Sequence, residues 1–254
     1  MTAANLTVAR RRPRVVAIVM YTLQSCLPPK RWFAVLLPCV GTVLFALLTY
    51  AIPRSNERAF ADIAAEGIFA LLMPIAALII GDAVFGAEVR SGTFHFTWLS
   101  PAPAWEIVVG RWIGGSIVAL ATIAPATALA AVVAGTPKDA DAAYVAAAFG
   151  SVAYIAIFIA IGCLTRRTAV WSLAFVFLIE RLLGAALTGI AQLSPTWLSR
   201  AIYVDYVEHV PWRLIREGVP QGAAAAIRLV IVSAIALALA TWRIRHMRHA
   251  GATD

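Results

Sequence analysis

Charge is what this sequence has little of. Aspartate, glutamate, lysine and arginine together make up 13% of the chain, against roughly a quarter in an ordinary soluble domain, while 61% of the residues are apolar. With that balance over 254 residues, and a mean hydropathy of +0.83, water cannot be its only solvent.

Other absences narrow the chemistry. The cysteines are three, Cys26, Cys39 and Cys163, all at or inside apolar segments, so no disulfide framework is implied. The histidines His95, His209, His246 and His249 fall in predicted loops or tails and show no metal-ligand spacing. No Gly-x-x-x-x-Gly-Lys-Ser/Thr motif occurs, which removes the phosphate cradle of a nucleotide hydrolase. The net charge of +8 is not gathered into a basic face interleaved with aromatics, so nucleic acid is not an expected partner. The polar segments are also too short to bury an independent catalytic core.

What is present is a series of long apolar runs. A helix needs about 20 mostly apolar residues to cross roughly 30 Å of hydrocarbon, because it rises about 1.5 Å per residue and must satisfy every backbone polar group internally. Six runs meet that length: residues 32–52, 67–85, 112–135, 142–164, 170–193 and 223–242. The sequence therefore predicts an all-α integral membrane protein, a single transmembrane domain over 1–254 with six spans. Residues 15–27 are apolar but too short to cross and are closed by Pro28-Pro29, which predicts a helix lying along the interface. The Arg-rich start followed by Leu23-Gln24-Ser25-Cys26 has a loose likeness to a lipoprotein leader, which Gln24 suits badly.

Basic residues resist translocation, so their placement sets orientation. Thirteen lie on the side of the N-terminus, from Arg10 to Arg248, and six on the other: Arg54, Arg58, Lys138, Arg200, Arg213 and Arg216. Both termini are expected in the cytoplasm.

The cytoplasmic loop at 86–111 differs from a bare connection, which would need only a few residues. Acidic Glu88 is followed by the turn formers Gly92 and Thr93, then by apolar Phe94, Phe96, Trp98 and Leu99, and Pro101 stops the run. That pattern predicts a short amphipathic helix seeking either lipid headgroups or a groove on a partner protein. Here the chain resembles the permease subunits of type-2 ATP-binding-cassette exporters. The matching positions are Glu88, Gly92, Thr93, Leu99, Pro101, Ile107, Gly110 and Arg111, and the six-span layout and the external stretch 194–222 are similar too. Phe94-His95-Phe96 and Pro103-Ala104 depart from the usual family pattern.

The resemblance implies a function. Residues 88–101 would be the coupling helix that docks on a separate ATPase subunit. That subunit would act as a pair and hold the ATP, leaving this chain no bound cofactor and no catalytic residue. A second permease chain, identical or related, would line the pathway, and the location would be a bacterial inner membrane. The cargo would be an amphiphilic drug, a lipid or a glycolipid. A transporter driven by an ion gradient and a membrane assembly protein without transport are the alternatives. An intramembrane enzyme is disfavoured because Glu180 and Arg181 are the only ionisable residues at central depth.

Glu180 and Arg181, near the middle of the fifth run, each cost about 2.5–3.5 kcal/mol at mid-membrane and so demand partners. Neighbours on a helix point about 100° apart, which sends the two to different partners, on a translocation path, a dimer seam or a structural contact. Asp82 and Arg228 lie near run ends, within reach of the interface. Gly110 and Gly114 form a step of small residues suited to close helix packing. Trp197, Tyr203, Tyr206 and Trp212, set among charges, read as an interfacial belt or a cap over the exit.

Overall fold

A computed structural model describes residues 14–26, 32–50, 60–61, 64–88, 92, 102–165, 167–207 and 215–246. They are almost all helical, with no strand among them. Five helices are long and apolar enough to cross a membrane: α3 (Gly67–Gly86), α4 (Ala104–Val133), α5 (Pro137–Leu164), α6 (Thr168–Ala186) and α9 (Gly222–Arg245). Two further helices precede them, α1 (Arg14–Cys26) and α2 (Trp32–Tyr50). Two others, α7 (Thr188–Ala191) and α8 (Pro195–Tyr206), lie between α6 and α9.

α5 is the centre of the bundle and packs on α3, α4, α8 and α9. Its sequence explains that place. Ala142, Ala143, Ala146, Ala147, Gly150, Ala153 and Ala156 are all buried, and such small side chains let neighbouring backbones come close. At Gly150 a Cβ would stand 2.1 Å from Ser199 Oγ on α8, so only glycine lets the two helices touch there.

α2 divides into two faces at helical spacing. Val35, Cys39, Thr42 and Ala46 are buried, on the side that packs against α4. Phe33, Leu37, Val40, Leu44, Leu47 and Leu48 are exposed, as suits lipid. Among the described residues the apolar part of this helix is Phe33–Leu48, and the expected first span is not shown. α1 packs against α4. A π winding over Ala64–Leu72 runs into α3, which turns α at Met73–Gly81, whose second residue is Pro74. Because proline has no N–H to give, a change of winding just before it is where strain is least.

Two boundaries differ from the sequence reading. The third span starts at Ala104 rather than at 112, because Pro103 at its N-cap is extended (φ −65°, ψ 148°) and the first two turns bury Ile107, Val108, Gly110 and Arg111. The loop expected on the cytoplasmic side thus contracts from 86–111 to the residues between Glu88 and Ala104.

The fifth span ends at Ala186 rather than at 193. Leu187 is extended (φ −115°, ψ 115°), α7 follows, and Ser194 caps the start of α8 by accepting from Trp197 N–H at 3.5 Å. Part of the expected external stretch 194–222 is therefore not a loop. α8 is folded into the bundle against α5 and α9, with Leu198, Ile202, Tyr203 and Val204 buried. Tyr203, read above as part of a belt, is a core residue: its ring meets Phe60 and Phe69 at 5.8 Å, and its hydroxyl donates to Asp139 Oδ2 at 3.0 Å. Its aromatic character masked a packing role that composition alone assigned to the interface. Trp212 lies outside the described residues, and Tyr206 is exposed.

Candidate functional site

The base of the 89–103 loop is held by one buried cation. Arg111 sits in the second turn of α4 with only 1% of its surface exposed. Its Nη2 meets Glu88 Oε2, just beyond the end of α3, at 2.7 Å, and its Nη1 donates to the Val84 carbonyl at 2.6 Å. The guanidinium also lies over the rings of Phe85, 5.5 Å from its centroid, and of Tyr21 on α1, 5.9 Å from its centroid. Three helices thus converge on one side chain. Tyr21 feels both members of the pair: partial desolvation, and then the adjoining Glu88 carboxylate, raise its phenol above the ordinary value, while Arg111 opposes the rise.

α1 reaches this position because α4 presents no side chains there. A Cβ on Gly110 would stand 2.8 Å from Ile18 Cγ2, and one on Gly114 would stand 2.7 Å from Thr22 Cβ. The small-residue step read from the sequence is therefore the seat of α1. Tyr21 itself was not singled out, although the glycine step opposite it was the available signal.

Of the expected coupling residues, Glu88 belongs to this clamp, and Gly92 is exposed with a left-handed φ of 73°. Thr93, Phe94, Phe96, Trp98, Leu99 and Pro101 lie outside the described residues.

Glu180 occupies a second buried polar cluster. It is 2% exposed on the π-wound part of α6, Phe175–Leu183. Tyr154 on α5 donates to its Oε2, and Ser194 and the Thr196 N–H, the latter at 3.3 Å, donate to its Oε1. Tyr154 and Thr196 also share a hydrogen bond of 2.6 Å between their hydroxyls. These contacts place the carboxylate at the positive N-terminal end of α8, where the helix dipole and three donors take the place of a cation. The partners come from other helices, as the 100° offset from Arg181 required. Arg181 is half-buried and makes contacts of its own. Arg228 Nη1 donates to Gln192 Oε1 at 2.9 Å, and Asp82 is half-buried near the lower end of α3.

Among the described residues no set of three His, Cys, Asp or Glu side chains could hold a metal ion. Neither protein-family models nor curated proteins match the chain. What the fold defines is an all-helical protein with five helices fit to span a membrane, consistent with a multi-pass membrane protein.

Proposed function

We propose that this chain is the membrane subunit of an ATP-binding-cassette exporter, moving an amphiphilic drug, lipid or glycolipid out of a bacterial cytoplasm. A separate pair of ATPase subunits holds the ATP. In this reading α2 completes a sixth crossing, both termini are cytoplasmic, and a second permease chain faces this one.

One observation carries the reading: the Glu88–Arg111 pair joins α3 to α4 at the root of the one long cytoplasmic connection, with α1 locked on by Tyr21. A force on residues 89–103 then reaches three helices at once. A loose connection would absorb it. The resemblance of residues 88–111 to a coupling segment supplies the partner.

The test is purification from detergent of the tagged chain expressed in its source bacterium. The expected result is an ATPase subunit retained with it, whose ATP turnover responds to amphiphiles. Transport that proceeds without ATP and collapses with the ion gradient would instead favour a secondary transporter. No change in cargo flux on deleting the chain would favour an assembly role.

A further inference from the structure

A groove of about 440 Å³ lies between α5, α6, α7 and α9. Its size is that of a small-ligand site, roughly 300–1,000 Å³. Its walls are almost wholly apolar, with Ile157, Ile161, Phe175, Ile190, Val232 and Leu239 among them. Glu180 contributes to one wall, but its oxygens are already taken by Tyr154, Ser194 and Thr196.

The groove follows one face of α9, where Val232, Ala236 and Leu239 recur at helical spacing. One turn above Val232 on the same face stands Arg228. From Arg228 to Leu239 is eleven residues, or about 16 Å at 1.5 Å per residue, the depth of one leaflet of a 30 Å hydrocarbon core.

Arg228 stands one turn beyond the groove lining, and its partner Gln192 adjoins the lining residue Leu193. Arg228 bonds to a neutral amide, Gln192 Oε1, and Gln192 Nε2 in turn donates to the Gly218 carbonyl at 2.7 Å. That second bond brings the segment carrying Arg216 to the same end, where Arg216 donates to the Ala185 carbonyl and stacks over Trp197 at 4.7 Å. Among the described residues neither arginine has a carboxylate partner. Guanidinium groups pair with phosphate through two parallel hydrogen bonds, and Arg228 has five donors with one engaged.

We propose that this groove binds an anionic phospholipid, with one acyl chain along α9 from Val232 to Leu239 and the phosphate at Arg228. The distance from Arg228 to the far end of the apolar face, about 16 Å, matches a single leaflet, and the charge of Arg228 matches the headgroup. The site needs no ATPase partner, so its failure would leave the transport reading untouched, and failure of that reading would leave the site standing.

The experiment is native mass spectrometry of the detergent-purified full chain with added phosphatidylglycerol or phosphatidylcholine of the same acyl chains. Wild type retains phosphatidylglycerol preferentially. Arg228→Gln lowers that retention about tenfold, the worth of roughly one charge-assisted bond, and leaves phosphatidylcholine unchanged. Arg228→Lys keeps the preference. Ile235→Trp, at a groove position 61% exposed and so harmless to the core, lowers retention of both lipids. Equal retention of the two lipids by wild type, or an unchanged preference in Arg228→Gln, overturns the proposal. So does a dimer in light scattering that Ile235→Trp dissociates while wild type retains no lipid, since the groove would then belong to a second copy.

Discussion

Glu88 Oε2 and Arg111 Nη2 stand 2.7 Å apart and join the foot of α3 to the second turn of α4 across the loop between them. Arg111 is the deeper partner, with Glu88 nearer the surface. Removing one member of a buried pair strands the other, which costs about 3–5 kcal/mol, whereas replacing both by apolar groups is often neutral. Glu88→Ala alone should therefore lower the melting temperature in detergent sharply, and Glu88→Leu with Arg111→Met should recover most of the loss. Equal losses in the single and double variants would show that the pair does not hold the fold.

Glu88 is consequently a poor probe of docking, because its loss acts on folding first. Gly92 is a better one. It is exposed, and a Cβ there would meet nothing within 4 Å, so Gly92→Ala has only the left-handed backbone to strain, about 1 kcal/mol. The expected outcome is a nearly unchanged melting temperature together with ATP turnover that no longer drives efflux. Transport at the wild-type rate in Gly92→Ala would remove the loop from the coupling role.

α1 is held on α4 by the absence of side chains at Gly110 and Gly114, so Gly114→Val should push it away. Cys26 reports this, since burial has raised its thiol to about 11. A raised thiol holds its proton as pH rises, so thiolate is scarce at pH 8, where a free cysteine at about 8.5 is already partly ionised. Maleimide labelling of Cys26 at pH 8 should be slow in wild type and markedly faster in Gly114→Val, with Cys39 and Cys163 replaced by alanine in both. Equal rates would mean that α1 does not depend on the glycine seat.

The cluster at Glu180 ties α5, α6 and α8 together. Glu180→Leu leaves the donors on Tyr154, Ser194 and Thr196 without their acceptor, at about 1–3 kcal/mol for each buried group left unmade. Glu180→Gln keeps an acceptor oxygen for Ser194 and Thr196 and should lose much less. Thermal melts of the two variants in one detergent decide it. If the glutamine variant is as damaged as the leucine variant, the negative charge at the start of α8 is the stabilising factor, rather than the hydrogen bonds.

The spans were legible because apolar length is a local property: α3, α4, α5 and α9 each read as an unbroken run whatever surrounds them. The end of α6 was not, since residues 170–193 are apolar on both sides of the break at Leu187. Hydropathy is blind to a turn that stays in an apolar setting. The burial of α8 was hidden for the opposite reason, because its charges and aromatics look like a surface until Tyr203 meets Asp139 and Phe69.

By itself, then, the sequence determined that the chain is helical and suited to lipid, since the hydrocarbon core sets a length that each run satisfies or fails alone. Tertiary structure decided the rest: that Arg111 answers Glu88, that Glu180 is met by Tyr154 and the start of α8, and that Gly110 and Gly114 seat α1. Each of these depends on atoms far apart in the chain coming within about 3 Å, a condition that only the packed bundle imposes.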